Sequence, residues 1–126
     1  MNYKNVKIAE GARIAKQSVI LGNVTIGRDS CVLYYAVIRG DDAPVVIGEE
    51  TNIQENCTIH VSHNMPVHIG NNVTVGHNAV IPDGSLVMGS PARIKRNLTW
   101  EEKLGIVENS KEYLAVSEEM KAQDVL

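Results

Sequence analysis

The chain has 126 residues, a formal net charge of −3 and a pI near 5.8, and it contains no basic run. That length predicts one domain, and that charge argues against nucleic acid as a partner. The apolar runs are too short to span a membrane, and the start MNYKNVKIAEG lacks the apolar stretch of a signal peptide, so the expected location is cytoplasmic.

Phenylalanine is absent while valine and isoleucine abound, which predicts a narrow core filled by medium-sized aliphatics. The two cysteines, Cys31 and Cys57, form neither a CxxC metal pair nor a disulfide framework and read as ordinary thiols.

Aliphatic residues recur every six positions at Ile8, Ile14, Ile20, Ile26, Val32 and Ile38. The count jumps nine to Ile47, resumes at Ile53 and Ile59, jumps ten to Ile69, and resumes at Val75, Ile81 and Val87. Small or modest residues follow four places after most of them: Ala12, Ser18, Val24, Ser30, Ala36, Thr51, Cys57, Val73, Ala79 and Ser85. A six-residue period fits neither an amphipathic helix nor a simple strand. It fits a solenoid with three short faces per turn, with Gly or Asn at the tight corners. Coils then open at Ile8, Ile26, Ile47 and Ile69, with a partial fifth at Val87. Both jumps fall at the end of a third face, the kind of corner where a solenoid tolerates an insertion. The predicted fold is an all-β solenoid, a parallel β-helix of about four coils over residues 1–98.

Residues 99–126 are predicted to form a C-terminal α-helix, from about Thr99 to Lys121, packed on the solenoid or on a neighbouring subunit. Thr99 with Glu102 has the spacing of a capping box. Trp100, Leu104, Val107 and Leu114 make one apolar stripe, with Ile106, Tyr113 and Met120 beside it.

On this scaffold Arg39, His60 and position 82 each follow the third-face aliphatic of successive coils. They should stack one rung apart, at about 4.8 Å per rung. Gln54 follows Ile53 on the second face, and His77 lies at the next corner of coil four. Two imidazoles share a zinc ion when their nitrogens are roughly 3–3.5 Å apart, given bonds of about 2.0–2.1 Å. A corner histidine such as His77 faces away from the third-face stack of its own chain, so it would meet His60 only across a threefold interface.

The run VIRGDDAPVVIGEETNIQENCTIHVSHNMPVHIGNNVTVGHNAV strongly resembles the γ-class carbonic anhydrase family of hexapeptide-repeat proteins, over roughly residues 8–98. The resemblance implies a left-handed β-helix, against the usual right-handed crossover. It implies a homotrimer with zinc (or iron or cobalt) at each subunit interface and CO2/bicarbonate as substrate. Ile59-His60 matches the family's first metal ligand and Gly76-His77 the second. The third falls at position 82, where this chain has Pro82. Gln54 and Asn52 match residues that orient the metal-bound water, Arg39 and Asp41 an interfacial ion pair that orders the trimer, and Asp42 lies near an acidic proton carrier of some members. His63 is a candidate proton shuttle. The implied reaction lowers the pKa of a metal-bound water to near 7, so that hydroxide attacks CO2.

Pro82 carries no donor atom for a metal. Family members usually pass from GHNAV through a histidine and further coils before an exit like IPDGSLVMGSPAR; here the exit follows at once. About two coils, roughly 36–40 residues, are missing in register, and Ile81 keeps its six-residue place. His63 or His68 would substitute as a ligand only if the loop around residues 62–67 folded over the corner; His68 reads as an outward surface histidine. The alternatives to a metal-dependent hydratase are a non-catalytic trimeric scaffold and, after it, a hexapeptide acyltransferase using His60 or His77 as base.

Overall fold

The computed structural model describes residues 3–89 and 93–104. Coil one comprises β1 (Val6–Ile8), β2 (Arg13–Ile14) and the first half of β3 (Val19–Ile26). Strand β3 turns a corner into coil two, which continues through β4 (Cys31–Val32) into β5 (Val37–Ile47). The second half of β5 opens coil three, followed by β6 (Asn52–Ile53) and β7 (Thr58–His60). Coil four is β8 (Val67–Ile69), β9 (Thr74–Val75) and β10 (Val80–Ile81); then come β11 (Ser85–Met88) and β12 (Arg93–Asn97).

Successive coils pair in parallel, and the registers join the hexad aliphatics into three internal ladders. On the first face Ile8, Ile26, Ile47, Ile69 and Val87 are stacked in that order. The second face stacks Ile14, Val32, Ile53 and Val75. The third stacks Ile20, Ile38, Ile59 and Ile81. From Ile26 onward these residues are buried, whereas Ile8 at the open first coil is 48 % exposed. The parallel solenoid of four coils predicted from the six-residue period is the observed architecture.

The small inward positions satisfy backbone groups as well as space. Ser30 Oγ donates to the Gly48 carbonyl (2.7 Å) and accepts from the Thr51 N–H (3.0 Å). One coil further on, Thr51 Oγ1 donates to the Gly70 carbonyl (2.8 Å) and accepts from the Val73 N–H (3.2 Å). A hydroxyl there binds buried backbone groups that would otherwise cost free energy. The corners need left-handed backbone, supplied by Asp29, Glu50 and Asn72 between faces one and two and by Tyr35, Asn56 and Asn78 between faces two and three. Asn and Asp tolerate that conformation because a short polar side chain can bond locally. At Gly22, with φ of 96°, any Cβ would run into the Gly40 backbone, so glycine is required.

Both register jumps emerge at the third corner. One is the bulge in β5 through Asp41 and Asp42; the other is the loop after His60, closed by a bridge between Ser62 and Met65.

One cover of the solenoid end goes beyond the sequence reading. Strand β12 doubles back antiparallel on β11, pairing Leu86 with Arg96 and Val87 with Ile94. It takes up the first-face edge that a fifth coil would otherwise leave bare. The predicted helix starts as expected: residues 100–104 are helical and the rest of the span to Lys121 lies outside the described residues. Its capping box is formed, with the Thr99 N–H donating to Glu102 Oε1 (3.0 Å) and the Glu102 N–H to Thr99 Oγ1 (3.2 Å). Arg96 of β12 grips the same carboxylate, with a second contact of 2.8 Å to Oε2, and holds the Glu102 carboxyl down at about 2. Because the folded value lies below the ordinary 4.5, this contribution is complete above pH 4.5 and fades as pH falls toward 2. Thr99→Ala is expected to weaken the cap by about 1 kcal/mol. Faster amide exchange at Glu102 in that variant would register the loss; unchanged exchange would mean the box contributes nothing.

Candidate functional site

The parallel register carries polar residues into fixed places outside the ladders. Arg39 lies beside His60 across β5 and β7. Strand β10 continues the same face, with Val80 on Thr58 and Ile81 on Ile59. Pro82 therefore follows Ile81 at the position one rung beyond His60. The order Arg39, His60, Pro82 is the one that the repeat predicts.

Around the third corner, Tyr3, Arg39, Asp41, Asp42, His60 and Ser62 line an open groove. Arg39 Nε lies 3.6 Å from Asp41 Oδ2 within the chain. The Asp41 side chain is largely buried and the arginine half exposed. His63 stands in the loop above, 79 % exposed, with Nδ1 3.4 Å from Asp42 Oδ1. The exposed ring is held over the acidic corner, away from the second-face residues.

A second set lies on the second face and its far corner. Gln54 Nε2 donates to Asn52 Oδ1 (3.0 Å), and Asn52 Nδ2 donates to Thr74 Oγ1 (3.1 Å). This amide chain fixes both side chains. At the corner, the Asn78 N–H donates to the Glu55 carbonyl (3.0 Å), which sets His77 directly over Glu55. His77 Nδ1 lies 3.0 Å from Glu55 Oε1, with the imidazole 65 % exposed. The distance suits a hydrogen bond but the ring is turned off its axis, so Glu55 Oε1, itself buried, has no hydrogen bond among the described residues. Sequence reasoning passed over Glu55 and Thr74. The signal was available for both, since each occupies the same coil position as a neighbour already singled out, one rung away from His77 and Asn52.

His68 sits in the outward row of the first face, between Val46 and Leu86. It is half-buried rather than freely exposed, and that burial lowers its pKa from the ordinary 6.5, opposed more weakly by Glu102. Because the folded value is depressed, the stabilisation is present above pH 6.5 and is lost as pH falls below it. Its place on face one separates it from both polar sets.

The described residues bring no three His, Cys, Asp or Glu together in one chain as a metal site. His60 ends the third face and His77 belongs to the corner between the second and third. Zinc sites that do chemistry take three protein ligands and keep an open position. Pro82, one rung beyond His60, offers no side-chain donor to a metal, and within one chain the described residues do not assemble three ligands for zinc, iron or cobalt.

A family profile described as "Bacterial transferase hexapeptide (six repeats)" matches residues 5–40, which defines the solenoid as a hexapeptide-repeat, left-handed β-helix. The chain is 36 % identical over 156 residues to a "Probable carbonic anhydrase" of Methanocaldococcus jannaschii, covering 91 % of this chain and 98 % of that protein. It is 29 % identical over 152 residues to "Gamma carbonic anhydrase 2, mitochondrial" of Arabidopsis thaliana, covering 83 % of this chain and 55 % of that longer protein. The chain belongs to the γ-carbonic-anhydrase-like family of hexapeptide-repeat proteins. Both alignments, at 156 and 152 positions, are longer than the 126 residues of the chain, so each relative carries a stretch with no counterpart here. Among solved structures, a hexapeptide transferase family protein from Anaplasma phagocytophilum is 22 % identical, covering 90 % of this chain and 91 % of that one, with a TM-score of 0.39. Within the described residues, no helix is long and apolar enough to cross a membrane.

Proposed function

We propose that the chain forms a γ-carbonic-anhydrase-like homotrimer in which His60 of one subunit faces His77 of the next, a metal site deprived of its third ligand. The substrate class is CO2 and bicarbonate, and the hydration activity is strongly reduced. The observation that supports this reading is the register of β7 on β10, which puts a residue without a donor atom one rung beyond His60. Asn52 and Gln54 remain tied to each other and to Thr74, so the amides that would orient a substrate oxygen persist where the ligand does not.

Two assays separate the parts of the reading. Sedimentation should give a trimer; a folded monomer at low micromolar concentration would remove the intersubunit site altogether. Supplied with excess zinc, the trimer should hydrate CO2 slowly in stopped flow, and His60→Ala should abolish what remains. If His60→Ala leaves a residual rate intact, the hydration does not come from this site.

The second reading, a trimeric scaffold without catalysis, is favoured by the same proline and by the intact ladders around it. A stable trimer with no zinc-dependent hydration would decide for it.

A further inference from the structure

We propose that Glu55 is the positioning residue of His77: it holds the imidazole in the tautomer with the proton on Nδ1 and turns the lone pair of Nε2 outward, toward the subunit interface. The inference deepens the reading above in its consequence, because an outward lone pair is what a neighbour across the interface would use, but the tautomer itself rests on one chain.

The pair is built by the repeat. Glu55 and His77 occupy the same position of consecutive coils, each before a left-handed asparagine, Asn56 and Asn78. The Asn78 N–H bonded to the Glu55 carbonyl fixes the two backbones one rung apart. At that spacing the two side chains meet at 3.0 Å. A buried carboxylate oxygen without a hydrogen bond is costly, and among the described residues Glu55 Oε1 has no such partner. The donor within reach is Nδ1 of the exposed His77 ring, 3.0 Å away. A carboxylate accepts and cannot donate, so it selects the ring form that carries its proton on Nδ1. Which nitrogen of a histidine is left free is set by the bond that the other one makes. Gln54, the neighbour in sequence, spends an Nε2 donor on Asn52.

The test is a long-range ¹H–¹⁵N spectrum of the full chain, with the His77 resonances assigned by their loss in His77→Gln, recorded where the imidazole is neutral. The wild type should show a protonated Nδ1 and a free Nε2. Glu55→Ala should lose that preference, so that the Nε2–H form becomes the main one, as in free imidazole side chains. Glu55→Gln should keep the wild-type tautomer, because the amide oxygen still accepts from Nδ1. Rescue by the uncharged amide distinguishes a directed hydrogen bond from a general effect of charge. A wild-type spectrum with the proton on Nε2, or an unchanged tautomer in a folded Glu55→Ala protein, would overturn the proposal. The result is read in monomer or trimer alike, so a failure of assembly leaves it standing and a failure here leaves the trimer standing.

Discussion

Restoring an imidazole with Pro82→His is expected to raise zinc affinity by at least about a hundredfold. A structural zinc site totals roughly 10–16 kcal/mol over about four ligands, so one more imidazole is worth several kcal/mol, and about 1.4 kcal/mol is a factor of ten. The substitution should be tolerated by the fold. Ile81 points inward as the last rung of the third-face ladder, and the next residue points out, as His60 and Arg39 do one and two rungs before. The backbone at that position gains an N–H and loses only the proline ring. Titration of wild type and variant with zinc at equal protomer concentration measures the difference. Equal affinities in two well-folded proteins would mean that position 82 does not reach the histidines.

The second large effect lies in the core. Ile53→Ala is expected to cost about 3–4 kcal/mol, within the range of 2–5 kcal/mol for such truncations. Ile53 is wholly buried, with Val32 beneath it and Val75 above in the second-face ladder. The rung above is tied through the Asn52 N–H to the Val73 carbonyl and the Gln54 N–H to the Val75 carbonyl, and the rung below through the Leu33 N–H to the Ile53 carbonyl, so the coils cannot close over a cavity. A domain with a total stability of about 5–15 kcal/mol loses a large fraction of it. Denaturant unfolding at fixed protein concentration reads the change, since any subunit association would make stability depend on concentration. A loss under about 1 kcal/mol would show that the ladder relaxes, and that the stack is softer than its registers imply.

Most of the architecture was legible because the solenoid repeats. Counting sixes assigns Ile8 to Val87 to faces, and the two jumps mark the third corner. Each inward residue is set by its own hexad, so local sequence and global fold carry the same information. The end of the chain was less legible. β12 pairs antiparallel with β11 through residues that follow no hexad, and its existence depends on an edge left open by the last coil. The helix start was readable because a capping box is a contact between residues three apart.

The polar residues divide in the same way. Positions could be derived, so Arg39 beside His60 and Pro82 beyond Ile81 follow from the count. Partners could not, because they depend on side-chain reach across rungs. The link between Asp42 and His63 crosses a corner insertion whose path has no repeat to define it. Glu55 escaped notice because a carboxylate in ENC reads as a solvated corner residue; only the coil above, with His77 in the same position, gives it a role.

The most direct test of the central claim is the metal content of the purified chain after zinc loading and exhaustive dialysis. The expected result is a folded assembly that retains far less than one zinc per subunit. One tightly held ion per subunit, released by His60→Ala, would contradict it, because a third ligand would then exist that Pro82 does not supply.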